Sequence, residues 1–300
     1  MPHMLTLVAA PGGLTPSHIT AVRAALEALG AAPGTPDWLA PGEAADIPFL
    51  GAASQGVAAA RQALGTAPID AIAQPREGRL KRLLVADMDS TIVTSETLDE
   101  LAAHAGLKER IAAITARSMA GELDFHAALV ERVGLLAGLP VDALEKTWAE
   151  TEMMPGAATL VATMRALGAI TCLASGGFTF FTGRVRDALG FDHHVSNVLG
   201  MADGRLTGTV AEPVFDRNAK LATLTRLATE AGLPMSATMA VGDGANDLDM
   251  IRAAGLGVAF RAKPVVAAAA AARVEHGDLT ALLFAQGIRR ADFVVPTIRR

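Results

Sequence analysis

The sequence VADMDSTIV, residues 85–93, is an apolar run that ends in two aspartates, Asp87 and Asp89. A short apolar run bounded by polar residues is typical of a buried strand. Later segments repeat this form, and each is followed by a helical pattern: AITCLAS, TMAVGD and GLGVAF. Strands that alternate with helices predict an α/β fold, a Rossmann-like parallel sheet with helices on both faces. Ligands bind beyond the carboxyl ends of such strands, so the two aspartates lie where chemistry is expected.

A long helical pattern separates the first two of these strands, over about residues 95–150. A right-handed crossover between parallel strands needs only about a dozen residues, usually including one helix. The excess predicts an inserted helical cap, which would exclude water from the strand ends and select substrates. The segment MADGRLTGTV, residues 201–210, has a turn at Asp203-Gly204 and predicts a hairpin.

The first 78 residues have a different pattern, with short apolar runs and two helical segments in the order βαββαβ. The first helix is expected to open at Thr15-Pro16, because Pro is favourable in the first helical position. The segment AQPREGRLKR, residues 73–82, then turns polar and charged, as linkers do. We therefore expect two domains, residues 1–78 and 79–300, with the cap inside the second.

Composition favours an ordered globular protein, since 51% of the residues are hydrophobic and 19% are charged. The net charge of −5 and the lack of a long basic run argue against nucleic-acid binding. No apolar stretch approaches the roughly 20 residues that span a membrane, and the N-terminus does not have the form of a secretory signal. We expect a cytoplasmic protein without a membrane or nucleic-acid partner.

Four carboxylates are expected to converge at the strand ends. The segment GDGANDLDM, residues 242–250, brings Asp243 and Asp247 to a strand end near Asp87 and Asp89. A lone Asp-x-Asp pair often only caps a helix or forms a turn. Four carboxylates at one site, however, cannot all be charged without a counter-ion. Oxygen ligands with few soft residues nearby favour Mg²⁺ over zinc.

Two further features could bind an anion at the same edge of the sheet. The segment Ser175-Gly176-Gly177-Phe178 follows a strand and is expected to open a helix, where N–H groups and a hydroxyl could hold a phosphate. A plain tight turn explains these residues equally well. Lys220 lies on a predicted helix between the hairpin and the GDGAND strand. No G-x-x-x-x-G-K-[ST] motif occurs, so a P-loop nucleotide site is not the explanation.

Taken in order, DMDST, SGGF, Lys220 and GDGAND resemble the four motifs of the haloacid dehalogenase superfamily, in its Mg²⁺-dependent phosphohydrolase branch. The resemblance covers roughly residues 82–285 and is greatest to the phosphoserine phosphatases. It extends to cap residues at the separations that those enzymes use for substrate contacts, namely Glu96, Met119, Phe125 and Arg132. Residues 1–75 resemble the amino-acid-binding, ACT-like modules that precede some members of that family.

The resemblance implies a role for each acidic motif residue. Asp87 would attack phosphorus and become an aspartyl-phosphate. Asp89 would act first as general acid and then as general base. The side chains of Asp87 and Asp243 would hold Mg²⁺ with the carbonyl of Asp89, and Asp247 would orient these ligands.

The resemblance also implies the substrate contacts and the reaction. The groups expected to bind the phosphoryl end are Ser175, Gly176, Lys220 and Asn246. Glu96 would pair with an ammonium group and Arg132 with a carboxylate, whereas Met119 and Phe125 would shield the reacting phosphate. Without the match to the family's spacing, Glu96 and Arg132 would be interpreted as ordinary solvated charges on cap helices. The implied activity is hydrolysis of O-phospho-L-serine to L-serine and phosphate, the last step of serine biosynthesis.

Two other functions stay open. One is a phosphatase or phosphotransferase for a related phosphomonoester such as phosphohomoserine, because one methylene contributes only about 1–3 kcal/mol of discrimination. The other is an amino-acid-sensing regulatory protein, which the N-terminal module would allow. For this module three roles remain: binding an amino acid, forming a homodimer contact, or covering the catalytic domain.

Overall fold

The computed structural model describes residues 3–119 and 122–296, except for the side chains of residues 116, 118 and 119. The N-terminal module has the predicted βαββαβ order, with elements β1 (His3–Ala9), α1 (Pro16–Ala28), β2 (Asp37–Ala40), β3 (Ala44–Phe49), α2 (Ala53–Leu64) and β4 (Ile69–Pro75). Its strands form an antiparallel sheet in the order β2-β3-β1-β4. This element order is the ferredoxin-like one, and the ACT-like assignment stays a prediction.

Both faces of this small sheet are covered. Side chains alternate between the two faces of a strand. Along β1, Leu5 and Leu7 lie in one apolar cluster with α1 and α2. The alternate residues of β1 face the other side. Thr6 donates a hydrogen bond to Asp46, and Val8 packs in the apolar core of the second domain. The helices therefore cover one face, and the second domain covers the other.

The second domain begins at β5. Its elements are β5 (Leu83–Ala86), α3 (Thr97–His104), α4 (Lys108–Met119), α5 (Phe125–Gly134), α6 (Asp142–Glu150), α7 (Ala157–Ala166), β6 (Ile170–Phe178), α8 (Thr179–Leu189), β7 (His193–Asn197), β8 (Leu199–Ala202), β9 (Arg205–Val210), α9 (Arg217–Glu230), β10 (Thr238–Gly242), α10 (Leu248–Ala253), β11 (Leu256–Phe260), α11 (Pro264–Ala269), β12 (Ala272–Val274) and α12 (Ala281–Ala285). Short 3₁₀ helices lie at Met235–Ala237, Ala245–Asp247 and Arg290–Asp292.

The large sheet is parallel throughout, in the order β12-β11-β10-β5-β6-β7. Its central strands β5, β10 and β11 are buried along their whole length. One face packs against a cluster that includes Val161 of α7 and Phe181 of α8. The other face packs against Leu224 of α9 and Met250 of α10. The α/β fold with helices on both faces, expected from the alternating pattern, is confirmed.

The cap consists of α3 to α6, inserted between β5 and α7. The predicted hairpin is β8 and β9, turned at Asp203 and Gly204, which both adopt the left-handed conformation of a tight two-residue turn. The hairpin also extends the cap, since the N–H of Gly138 donates to the carbonyl of Leu206 at 2.8 Å. The sequence pattern identified the hairpin but not this contact.

Polar and apolar contacts join the two domains. Arg79, in the segment between β4 and β5, donates to Asp46 of β3 and to the carbonyl of Ala285. On β4, buried Asp70 accepts hydrogen bonds from the backbone N–H groups of residues 275–277. The predicted boundary near Gly78 falls in this connecting segment and stays a prediction. Within the described residues, no helix combines the length and apolarity that crossing a membrane requires.

Candidate active site

Neighbouring strands of the large sheet bring the motif residues together. Strands β10, β5 and β6 are adjacent, and their carboxyl ends carry Asp243, Asp87 and Ser175. A cavity of about 120 Å³ opens at this edge, between the sheet and the cap. Its wall is formed by Asp87, Asp89, Glu96, Leu98, Phe125, Leu129, Arg132, Ser175, Gly176, Gly177, Phe178, Asp243, Gly244, Asn246 and Lys263.

Lys220 lies beneath this cavity and joins two carboxylates. Its Nζ atom is 2.7 Å from Oδ1 of Asp87 and 2.6 Å from Oδ1 of Asp247. Lys220 is buried on α9, a helix that begins with Asp216 as its N-cap. The second oxygen of Asp247 accepts the N–H of Gly244 at 3.0 Å. Helix and strand end are therefore tied together by the predicted motif residues.

Burial and crowding of charge shift the ionisation of these groups. Burial, followed by the charge of Asp247, raises the pKa of Asp87 well above its usual value, although Lys220 opposes this. Burial, Asp247 and Glu96 raise the pKa of Asp243 to about 6. Burial would lower the pKa of Lys220, but the charges of Asp247 and Asp87 outweigh it and raise that pKa. The ammonium group is therefore retained among carboxylates that resist ionisation together.

Asp89 is held from both sides. One carboxylate oxygen accepts the backbone N–H of Thr97 at 2.8 Å, at the start of cap helix α3. The other accepts the hydroxyl of Ser175 at 3.2 Å. Burial and then the charge of Glu96 raise the pKa of Asp89 to about 6, against the lowering effect of these hydrogen bonds. The two motif aspartates thus differ in their partners: Asp87 binds a buried cation, and Asp89 binds neutral donors.

The SGGF segment differs from its predicted form. Strand β6 continues through Phe178, which is also the N-cap of α8, so the segment forms the end of the strand itself and leads directly into the helix at Thr179. The pairing of β6 with β7 shifts register between Ala174 and Phe178, an irregularity of the kind that a β-bulge produces. The N–H of Gly177 donates to Oγ of Ser175 at 2.9 Å. A β-carbon on Gly176 would lie 3.3 Å from the ring of Phe125, which shows how closely the cap approaches here.

The cap supplies the charged groups expected from the sequence. Glu96 and Arg132 both line the cavity, and Arg132 on α5 is half-buried. Oε1 of Glu96 accepts the hydroxyl of Ser90 at 2.8 Å. Burial lowers the pKa of Arg132, and the charges of Asp99 and Glu96 offset this effect only in part. Met119 is the last residue of α4, and its side chain lies outside the described part of the structure.

The acidic groups could hold a hard cation. Carboxylate oxygens of Asp87, Asp243 and Asp247 all lie within 4.8 Å of one another. Two of these carboxyls have raised pKa values, as expected where buried negative charges are crowded. An all-oxygen set of this kind suits a hard divalent ion. Asp247, which was expected only to orient the ligands, lies as close as the other two.

The structure also adds residues that no motif indicated. Leu98 and Leu129 form apolar wall beside the predicted cap residues, and Lys263 contributes a cation. Lys263 directly precedes α11 and lies outside the GDGAND motif, so the motif gave no signal for it. Thr97 was equally unmarked, although its N–H binds Asp89.

A family model described as haloacid dehalogenase-like hydrolase matches residues 81–255. The chain belongs to this hydrolase family. The phosphoserine phosphatase of Streptomyces coelicolor is 48% identical over 214 residues, which make up 71% of this chain and 52% of that protein. The chain therefore spans about half the length of this curated relative.

Two solved structures match nearly the whole chain. One is a hydrolase of this family from Salmonella enterica serovar Typhi, with a TM-score of 0.84 and 28% identity, covering 94% of this chain and 97% of that one. The other is a probable phosphoserine phosphatase from Vibrio cholerae in unliganded form, with a TM-score of 0.77 and 31% identity, covering 97% and 88%. The likeness in these structures thus includes the N-terminal module.

Proposed function

We propose that the chain is a Mg²⁺-dependent phosphoserine phosphatase that acts through an aspartyl-phosphate. The observation that carries this proposal is one cavity with two unlike ends. The sheet end has Asp87 beside buried Lys220, and the cap end has Glu96 and Arg132. The first suits a phosphoryl group, and the second suits the ammonium and carboxylate of an amino acid.

In the first step, a carboxylate oxygen of Asp87 forms a bond to phosphorus as the ester P–O bond breaks. The serine oxygen leaves with the proton of Asp89, whose pKa of about 6 leaves a useful fraction protonated near neutrality. The hydrogen bonds from Thr97 and Ser175 hold Asp89 for this transfer. The products are L-serine and phosphorylated Asp87.

In the second step, Asp89 is ionised and accepts a proton from a water molecule. The water oxygen bonds to phosphorus, the aspartyl P–O bond breaks, and inorganic phosphate leaves Asp87 as a free carboxylate. The two steps need opposite protonation states of Asp89, which the first step itself provides.

Charge on the phosphoryl oxygens must be neutralised in both steps. Buried Lys220 provides a fixed positive charge beside Asp87. Ser175, Gly176 and Asn246 line the same wall and offer neutral donors. In phosphoryl transfer such positioned charges and donors supply most of the catalysis.

The metal site in this proposal is the acidic group at the sheet end. Asp87 and Asp243 would hold Mg²⁺, with Asp247 close enough to orient or join them. When bound, the ion would neutralise charge on the phosphoryl group and favour the ionised form of Asp87. A Mg²⁺-independent enzyme would require another explanation for three crowded carboxylates.

The cap residues set the substrate. Glu96 would bind the ammonium group and Arg132 the carboxylate, while Phe125 over Gly176 excludes water from the phosphoryl end. Met119 is proposed to assist Phe125. Phosphohomoserine, longer by one methylene, is the second candidate substrate, because the same charged groups would accept it.

We also propose that the enzyme acts in the cytoplasm on a free small molecule, without nucleic acid or membrane. For the N-terminal module, covering the catalytic domain is the favoured role, since Val8 and Asp70 of its sheet are buried against that domain. A homodimer contact through the exposed helices is compatible with this role, and light scattering would measure it. Amino-acid sensing would appear as serine binding that is lost when residues 1–78 are removed.

A substrate panel tests the proposal. Phosphate release would be measured for O-phospho-L-serine, phosphohomoserine, phosphothreonine, a sugar phosphate and p-nitrophenyl phosphate, each with Mg²⁺ and with EDTA. We expect a kcat/KM for phosphoserine at least about 100-fold above the others, or about 2.7 kcal/mol of transition-state binding. Preference for another ester would refute the amino-acid role of Glu96 and Arg132. No metal-dependent activity would favour a regulatory protein.

A further inference from the structure

Lys263 is a cation of the cavity wall to which no motif assigns a role. Its side chain lines the cavity with Asp243, Gly244 and Asn246, on the sheet side. The other cation of this wall, Arg132, belongs to the cap. Lys263 thus places a positive charge on the sheet side of the cavity, whereas the proposed carboxylate anchor, Arg132, belongs to the cap.

The backbone of Lys263 is fixed at this position. Its N–H donates to the carbonyl of Asp243 at 3.1 Å, and its own carbonyl accepts the N–H of Val266 at 2.9 Å in the first turn of α11. Two residues earlier, the guanidinium of Arg261 donates to the carbonyl of Gly277 at 3.1 Å. The side chain itself is exposed, so its ammonium group can reach an incoming ligand.

The acidic charge of the cavity wall makes an exposed cation useful for binding an anionic substrate. Asp87, Asp89, Glu96 and Asp243 give the cavity an acidic lining, which repels a phosphate dianion during approach. An exposed cation at the entrance raises the local concentration of anions and the rate of encounter. Lys220 is buried beneath the cavity and is already paired with two carboxylates, so it does not extend to the entrance.

We propose that Lys263 captures the phosphoryl end of the substrate and positions it beside Asp87. The identity of the substrate rests on the proposed function, whereas the capture of a phosphate dianion does not. Lys263 acts through its charge, so arginine should replace it and glutamine should not. No bond is made or broken by this residue.

The test compares Lys263→Gln and Lys263→Arg with Lys146→Gln. Lys146 is an exposed lysine of α6 that does not line the cavity, and its variant has the same change of net charge. Binding of inorganic phosphate would be measured by calorimetry with Mg²⁺, and KM and kcat for phosphoserine at low and high salt.

In Lys263→Gln we expect the phosphate dissociation constant and KM to rise about threefold to tenfold at low salt, with kcat changed less than about twofold. The difference should shrink at high salt, because the Debye length falls. Lys263→Arg and Lys146→Gln should resemble the wild type. Unchanged phosphate binding in Lys263→Gln, or an equal loss in Lys146→Gln, would overturn the inference. If Lys263→Gln binds phosphate more weakly but the wild type does not turn over phosphoserine, the role of Lys263 would be supported and the proposed substrate refuted.

Discussion

A β-carbon on Gly177 would lie 2.9 Å from Oδ2 of Asp89. It would also lie 3.1 Å from Oγ of Ser175, the group that donates a hydrogen bond to the same carboxylate oxygen. Real β-carbons essentially never approach another heavy atom to under 3.0 Å, so a side chain here must displace Asp89 or the strand end. Gly177, the second glycine of the SGGF segment, therefore leaves room for the carboxylate of Asp89, the proposed general acid and base.

Gly177→Ala is expected to lower kcat by about 10-fold to 100-fold, because small displacements of a catalytic group cost this much. Gly183→Ala, on α8, is the matched control: its β-carbon would make an ordinary 3.6 Å contact with His194 of β7. That variant should keep full activity and gain up to about 1 kcal/mol of stability, since alanine favours a helix. Equal activity in the two variants would contradict the role of Gly177.

The stabilising effect of Mg²⁺ should increase with pH. Asp87 and Asp243 have raised pKa values in the folded protein, so they bind protons more tightly there than in the unfolded chain. The metal-free protein should therefore lose stability as the pH rises from about 4 through about 6. Because Mg²⁺ requires the ionised carboxylates, its addition should restore this stability above pH 6 and have little effect near pH 4.

Thermal unfolding with Mg²⁺ and with EDTA at several pH values measures this effect. At a Mg²⁺ concentration about 100 times its dissociation constant, the gain should approach about 2.7 kcal/mol. Asp243→Asn should remove most of the gain, whereas Asp249→Asn should retain it, since Asp249 pairs with Arg217 outside the cavity wall. A gain that is the same at pH 4 and pH 7.5 would refute the assignment.

Ser90 is expected to act on substrate choice through Glu96. It adopts a left-handed backbone with φ of 55° and donates a 2.8 Å hydrogen bond to the Glu96 carboxylate. Ser90→Ala should raise KM for phosphoserine about threefold to tenfold, because this solvent-exposed hydrogen bond should contribute about 0.5–1.5 kcal/mol, the usual net value for one hydrogen bond. The KM for p-nitrophenyl phosphate, which lacks an ammonium group, should barely change. Equal effects on both substrates, or the same loss in Ser95→Ala, would contradict this role.

Arg79 is expected to hold the two domains together. It donates to both oxygens of Asp46, at 2.6 and 3.0 Å, and to the carbonyl of Ala285 at 2.9 Å. Arg79→Met should cost about 3–5 kcal/mol, because it leaves a buried carboxylate without its cation. Urea unfolding would measure this cost. Arg76→Met, at an exposed position of the same segment, is the control, and an equal small effect in both would contradict the bridging role.

The local sequence pattern was sufficient to predict the parts of the fold that depend on the spacing of buried apolar residues. The alternation of apolar runs and helical patterns predicted the parallel sheet, and the strand ends placed Asp87, Ser175 and Asp243 at one edge. The same rule placed Asp247 near them, and the family resemblance indicated Lys220 on its helix, although only the structure shows that these two form an ion pair. The match to the family's spacing then indicated Glu96 and Arg132, which both line the cavity.

Contacts between distant segments could not be predicted in this way. Lys263 follows an ordinary strand, and nothing near it in sequence marks it as part of the site. The extension of β6 through Phe178 depends on a register shift in its pairing with β7, which residue types alone do not specify. The packing of the hairpin on the cap and of Asp70 on residues 275–277 likewise depends on tertiary structure.

Trapping of the covalent intermediate tests the central claim most directly. Wild-type protein and Asp87→Asn would be mixed with Mg²⁺ and phosphoserine, quenched in acid within one turnover, and digested for peptide mass analysis. We predict one phosphoryl group on the wild-type peptide that contains Asp87, and none on the variant, which should also release no phosphate. Phosphate release by Asp87→Asn at a rate near that of the wild type would contradict both the nucleophile and the proposed mechanism.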